Sequence, residues 1–410
     1  MRLLHTSDWH LGQSLHEFER SAEHQAFLDW LCASLRQYQI DALLIAGDVF
    51  DNANPSAASQ RQFYQFLRQA RSIAPALQTI IIAGNHDSAG RLEAPGPLLD
   101  ALGVRIIGQP GRDARGEPDL NSLCAPLLRA DGGIGAQVLA VPFLRPGDLA
   151  RGEHLPYAQA VAQLYQALQA HARAQLPPGA ALLAMGHCHM QGGQVSEDSE
   201  RPLVIGGSEA LSAAMFEADV AYVALGHLHR AQQVGGQNHI RYSGSPLPLS
   251  FAETDYKHQV LLVELDGARL RSVESLYVPR SVPVLRVPAR PAPLDEVLQA
   301  LRALEAPPVP FEQQALVRPY ILIEGPQADI RIRLEQALEG KAVRMAGYET
   351  AYARQEADAA APVQTHHSMD EVQRLQPAAI FAHLHQEKYG SAPPPDIQQL
   401  FAELMLMEDA

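Results

Sequence analysis

A chain of 410 residues is long enough for two or three domains and at least one sizeable core. Hydrophobic residues at 47% and charged residues at 19% describe a soluble globular protein; no apolar run approaches the roughly 20 residues of a membrane helix, and Cys32, Cys124 and Cys188 are too few and too scattered for a disulfide framework. The formal net charge of −14 argues against unaided nucleic-acid binding, because affinity for DNA rests largely on Lys and Arg neutralising phosphates.

From the amino terminus, residues 2–7 form an apolar run that ends in Asp8-Trp9-His10. The two polar residues interrupt any signal-peptide core, so a cytoplasmic location is expected. A helical pattern over 23–37 follows, then a strand-like run at 42–46 that ends in Gly47-Asp48. A second helix over 56–72 leads to a run at 79–83 ending in Gly84-Asn85. After a run at 138–141 and a helix over 158–175, residues 181–185 end in Gly186-His187, and 221–225 end in Gly226-His227 and continue to His229. Residues 240–243 and 260–265, the latter followed by the turn Asp266-Gly267, read as a later strand pair. The expected class is α/β, with a mixed sheet or a pair of sheets.

Proline marks the next boundary, at Pro279, Pro283, Pro288, Pro291 and Pro293. Beyond it a small unit is expected, with a strand at 284–287, a helix over 294–304, a strand at 320–324 and a helix over 328–339. A polar, alanine-rich stretch at 354–361 then leads to two amphipathic patterns, 369–388 and 396–407, joined by a Gly/Ser/Pro segment. The domains expected are 1–278, 279–348 and a linker with helix-loop-helix tail at 349–410. The tail's spaced Phe381, Leu384, Leu400 and Leu404 suit docking in a partner's groove as well as packing on the main body. The Gly340-Lys341 pair is followed by alanine and forms no phosphate loop, so any ATP dependence must come from another chain.

The run-ending residues carry the chemistry. Glycine lets the backbone turn off a strand and approach a ligand closely. When neighbouring strands do this at their carboxyl ends, side chains distant in sequence converge on one crevice. Asp8, His10, Asp48, Asn85, His187, His227 and His229 then offer a mixed oxygen and nitrogen set, with no cysteine pair, sufficient for two ions such as manganese, iron(II) or zinc. Two ions about 3.5–4 Å apart form a clamp for in-line displacement at phosphorus. Asp48 is the expected bridge, since a carboxylate has two oxygens to share. Each piece alone is ordinary turn chemistry; five runs in succession ended this way are not.

Asp8-x-His10, Gly47-Asp48-Val49-Phe50-Asp51, Gly84-Asn85-His86-Asp87, Gly186-His187 and Gly226-His227-x-His229 resemble, in order and spacing, the signature motifs of the calcineurin-like metallophosphoesterases. Asp8-Trp9-His10-Leu11-Gly12, Asn54-Pro55 and Ala224 to Arg230 narrow the resemblance to the Mre-type nucleases of bacterial SbcCD-type complexes. It implies a metallophosphoesterase β-sandwich flanked by helices, with a small α/β capping domain and a C-terminal helical tail. It also implies two divalent ions, manganese with magnesium as the alternative. Asp8, His10, Asp48 and His229 would hold one, and Asp48, Asn85, His187 and His227 the other. His86 would face the scissile phosphate, with Asp87 orienting its imidazole. His189, which imitates the His227/His229 doublet, is expected to remain outside the ligand set. Some relatives have histidine where this chain has Asp51, near the substrate.

The resemblance further implies DNA hydrolysis at double-strand ends and hairpins, in repair, replication and recombination at the nucleoid. An SbcC-type ATPase partner would be gripped by the terminal helices, around a homodimer within a heterotetramer. Phe63, Phe66, Leu67, Leu98, Leu99 and Leu102 are the apolar candidates for the dimer face. The rival readings are a small-molecule phosphodiesterase of the same fold and a non-catalytic scaffold. The first shares every ligand, and only residues after 278 argue against it. The second predicts decayed ligands, and none of the seven is missing.

Overall fold

The computed structural model describes residues 1–149, 155–196, 210–323 and 329–352, together with a few isolated positions beyond 380. The chain divides into a compact unit Met1–Ala353 and a second, Arg354–Ala410. The expected tail helices lie almost wholly outside the described residues, as do Leu384, Leu400 and Leu404.

In the first unit, two six-stranded sheets pack face to face among the described residues. The first has the order Arg269–Tyr277, Gln259–Asp266, Arg2–Thr6, Ala42–Ala46, Gln78–Ile82, Val104–Ile107. Its last four strands run parallel, and Gln259–Asp266 is antiparallel to both its neighbours. The second has the order Gln232–Val234, Gln237–Tyr242, Val220–Gly226, Ala181–His187, Ile134–Ala140, Cys124–Leu128. Its central four strands are parallel.

The period of two along each strand explains the layering. Leu3, Ala42, Leu44 and Ala46 face the core shared with the second sheet, where Val138, Leu183, Val223 and Leu225 meet them. The alternate residues Leu4, Leu43 and Ile45 face outward, into a second core with Phe27, Leu31, Phe63 and Phe66. These come from helices Ser21–Gln37 and Ala57–Ile73, the latter opened by Ser56, whose hydroxyl accepts the Ser59 N–H at 3.1 Å. Such a cap is worth about 1 kcal/mol. Helix Tyr157–Gln175 flanks the second sheet, with the Tyr165 hydroxyl donating to Met185 O at 2.9 Å. Strands buried on both faces read as continuous apolar runs, which is how they stand in the sequence.

Two expectations change. Residues 240–243 and 260–265 do not pair with each other: the first belongs to a strand of the second sheet, beside Val220–Gly226, and the second to a strand of the first, beside Arg2–Thr6. Phe63, Phe66 and Leu67 are buried under the first sheet and offer no surface to a second copy. Leu99 is also buried, whereas Leu98 is 78% exposed.

The small unit contains the four expected elements and two more strands. Parallel strands Val284–Ala292 and Ala315–Ile323 pair, and the latter also receives Val343–Met345 and Glu349–Tyr352. Its sheet thus runs past 348, the expected edge, to at least 352. Helices Leu294–Ala303 and Ile330–Ala337 close its core through Val297, Leu301 and Leu334. It meets the larger body through Leu15, Phe251, Val282, Val284, Leu316 and Ala346. Arg318 lies over Phe251, 5.5 Å from the ring centre, and Arg344 over Phe18 and Phe311.

Candidate metal centre

All seven expected ligands converge at the carboxyl ends of the parallel strands, from both sheets. Asp8 and His10 follow Arg2–Thr6, Asp48 follows Ala42–Ala46 and Asn85 follows Gln78–Ile82. His187 ends its own strand, and His227 and His229 follow Val220–Gly226. The loops are held tightly: Asp8, His10, Asp48 and His227 have positive φ (54°, 47°, 50° and 104°), a conformation that costs of order 1–3 kcal/mol in a non-glycine residue and collects at functional sites. Glycine is obligatory at two of these turns. A Cβ on Gly226 would overlap Ala46 O, where the sheets touch, and one on Gly84 would overlap the Asp48 carboxylate at the end of the adjacent strand.

The donors fall into overlapping groups. Asp8, His10 and His229 bring ligand atoms within 4.8 Å of one another, as do Asp8, Asp48 and His187, and His10, Asp48 and His86. Asn85 Oδ1 lies 3.0 Å from both His187 Nε2 and His227 Nδ1. Asp48 joins the groups through one oxygen: Oδ2 is 3.6 Å from His10 Nε2 and 3.3 Å from His187 Nε2. Its Oδ1 accepts the His86 N–H at 2.8 Å.

Three of the imidazoles are fixed from behind, which sets the tautomer and aims the other nitrogen inward. His10 Nδ1 donates to Asp51 Oδ1 (3.2 Å), His187 Nδ1 to Ala46 O (2.8 Å) and His229 Nδ1 to Glu253 Oε1 (2.9 Å). His227 instead turns Nδ1 towards Asn85. Asp8 is held by the Ser7 hydroxyl at 2.5 Å and by His227 N–H at 3.0 Å. His86 Nδ1 donates to Asp51 O at 2.7 Å, so Asp51 steadies two histidines at once, one through its side chain and one through its backbone. His189 joins none of the groups.

Asp87 departs from expectation. Its carboxylate accepts the N–H groups of Val49, Phe50 and Gly84 at 3.0–3.1 Å, stapling two ligand loops together. The His86 ring is oriented by Asp51, not by Asp87. Burial and then the Asp48 charge push Asp87 up to about 6, against the pull of those three N–H groups. Burial would lower His187, but the Asp48 carboxylate beside it prevails and raises it to about 9. For His227, burial wins and the pKa falls well below its ordinary value.

The donor set fits divalent cations. His10 Nε2 is buried with no hydrogen-bond partner, an arrangement that ordinarily costs free energy unless a ligand completes it. Mixed carboxylate, amide and imidazole donors suit borderline and harder ions. Sequence reasoning missed Glu253 and the two-way role of Asp51. Glu253 sits on a short turn, Phe251–Glu253, with no motif around it; only its place 24 residues after His229, buried and charged, marks it.

Residues 1–231 match the calcineurin-like phosphoesterase family, and 280–389 match the type 5 capsule protein repressor C-terminal domain. The chain belongs to the calcineurin-like phosphoesterases. Its similar relatives are narrower in kind. It is 42% identical over 389 residues to the SbcD subunit of nuclease SbcCD from Rhodobacter capsulatus, covering 93% of this chain and 94% of that one. The Escherichia coli K12 and Bacillus subtilis proteins of the same name are 37% and 36% identical, over 75% and 64% of this chain and 76% and 66% of theirs.

Proposed function

We propose that this chain is the nuclease component of an SbcCD-type complex, hydrolysing DNA phosphodiester bonds at double-strand ends and hairpins. The observation that carries the reading is the overlap of the Asp8–His10–His229 and Asp8–Asp48–His187 groups, with Asp48 Oδ2 beside both His10 and His187 and Asn85 between His187 and His227, in a chain similar over nearly its whole length to an SbcD protein. Asp8, His10, Asp48 and His229 would hold one ion and Asp48, Asn85, His187 and His227 the other, with manganese the expected metal. Once bound, such a pair supplies Lewis-acid stabilisation of charge at the phosphoryl oxygens.

The chain's own residues do the rest. Asp51, Ala46 and Glu253 hold protons on the outer nitrogens of His10, His187 and His229, keeping the inner ones as donors of electron pairs. His86, whose Nδ1 donates to Asp51 O, would exchange a hydrogen bond or proton with the phosphodiester through its imidazole. Asp87 fixes the distance between the Asp48 and Asn85 loops.

An SbcC-type ATPase would dock on the tail from 369 onward, supplying ATP dependence and basic surface. A homodimer within a heterotetramer would use exposed Leu98, and action on DNA would place the protein at the nucleoid. No helix among the described residues is long and apolar enough to cross a membrane. The test is manganese-dependent digestion of a DNA hairpin with and without the ATPase. Truncation after Ala361 should preserve basal cleavage and abolish ATP stimulation. A full chain that binds manganese yet leaves the hairpin intact, with the ATPase present, would overturn the reading.

A further inference from the structure

Beside the centre, on the rim of the first sheet, a cavity of about 380 Å³ opens between residues 246–248, the segment 256–258 and the end of strand Arg269–Tyr277. Its wall is tied to the metal loops. Ser245 N–H donates to His229 O at 3.0 Å, and Ser243 Oγ meets Ser7 Oγ at 2.8 Å, next to Asp8. His258 Nδ1 donates to Ser245 O at 2.9 Å, and Val278 N–H to His258 O at 2.9 Å.

The surface of this cleft has a composition unlike that of the chain as a whole, whose net charge is −14. Arg230, the residue after His229, lies 5.5 Å from the ring centre of Tyr256, and Lys257 lies 5.8 Å from that of Tyr277. Arg280, on the far wall, anchors through Nη2 to Thr254 O at 2.9 Å. The Tyr256 hydroxyl receives the Ser196 hydroxyl at 3.1 Å, so that ring is set before any ligand arrives. Tyr277 is 56% exposed, an uncommon outlay for a large ring unless something stacks on it. Asp255 and Glu23 are acidic groups whose charge reaches Arg280, alongside the Arg20 cation.

Aromatic faces with cations between them describe a track for a nucleic-acid strand: the cations neutralise phosphates and the rings take unpaired bases, since every base has a π-face. Stacking on a side chain requires a base that is not paired, which favours a single strand over a duplex. We infer that the cleft lined by Tyr256, Lys257, Tyr277 and Arg280, with Arg230 packed against the Tyr256 ring beside it, is a binding track for one separated DNA strand leading to or from the metal centre. The inference rests on the nuclease reading and deepens it. An end or hairpin opened at the centre presents such a strand, and Arg230, which lies against the Tyr256 ring of the cleft, directly follows His229. A chain short of positive charge thereby has a local grip at the place where one strand must be distinguished from two.

The test uses the full chain and a fluorescent single-stranded oligonucleotide in EDTA, so that the metal centre takes no part in binding. Tyr277→Ala should weaken binding about tenfold, whereas Tyr277→Phe, which keeps the ring, should bind like the parent. Lys257→Ala with Arg280→Ala should make the dependence of log affinity on log salt shallower by about 1.4, the share of two phosphates on a single strand. Hydrolysis of bis(p-nitrophenyl) phosphate with manganese should be unchanged in all three variants. Undiminished oligonucleotide binding in Tyr277→Ala and in the double variant would overturn the track, as would variants that lose only the ATPase partner. If the parent hydrolyses neither the small ester nor DNA, the nuclease reading itself fails, independently of the track.

Discussion

Glu253 Oε1 lies 2.9 Å from His229 Nδ1, and the same carboxylate accepts the Leu249 N–H through Oε2 at 2.8 Å. The side chain is fully buried, so this one group both sets the tautomer of a proposed ligand and pins the segment packed behind it. Outer partners of this kind typically contribute about 10–100-fold to metal affinity. Glu253→Ala should therefore weaken one of two manganese sites by about that factor in calorimetric titration, while Glu253→Gln, which still accepts from Nδ1, should recover most of the loss. Unaltered affinity in Glu253→Ala would show that the contact is merely structural.

Asp48 Oδ2 faces His10 and His187 together. Asp48→Ala is expected to lower the bound metal from two ions towards none, because both sites lose a donor. Elemental analysis of the purified variant decides the matter: two tightly held ions would end the bridging assignment.

His86 stands at the edge of the centre, half-buried, with Nδ1 donating to Asp51 O. His86→Ser should retain two ions and lose about 10²–10⁴ in turnover, the ordinary worth of a positioned acid or base. Loss of metal along with activity would move His86 into the ligand set.

Acid should unfold the protein through two histidines that the chemistry does not use. His5, buried between Tyr222 Oη (2.9 Å) and Leu225 O (3.1 Å), and His24, bonded to Trp9 O (2.9 Å), are both lowered to about 3 by burial. Unfolded, each titrates near 6.5, so between about pH 6.5 and 3 the unfolded chain binds more protons. The stability is fully present above about pH 6.5 and declines as pH falls towards 3, by about 1.4 kcal/mol per pH unit for each histidine. Urea unfolding in EDTA at about pH 7.5 and 5.5, on either side of the unfolded pKa, should show the decline, and His24→Gln should make it shallower. A flat profile would mean that both rings are solvated.

Much of this was legible in the sequence because of where the strands sit. Ala42–Ala46 and Ala181–His187 are covered on both faces, so their apolar runs are unbroken and the terminal glycine and ligand stand out. Arg269–Tyr277 is not legible in this way, because its mostly exposed residues, Arg-Leu-Arg-Ser-Val-Glu-Ser-Leu-Tyr, carry no strong apolar signal. The proposed ligands announced themselves by following strands; their supports did not. Glu253 and the Asp51 carbonyl act from behind the histidines, and a contact made by a backbone oxygen leaves no mark on residue type. Asp87 was visible as a motif residue, yet its partners are three N–H groups that no spacing reveals.

The proposed ligands come from two sheets: Asp8, His10, Asp48 and Asn85 from the first, His187, His227 and His229 from the second. Where they meet, Gly226 abuts Ala46 O so closely that a methyl group would not fit, and His187 and His5 hydrogen-bond across the seam. The metal centre is thus also a gauge of the gap between the sheets. A core substitution far from any ligand, if it swelled the layer that holds Leu44 and Val223, would spread the two halves of the coordination set before it unfolded the protein. Weakened metal retention would be the earliest symptom of a damaged core.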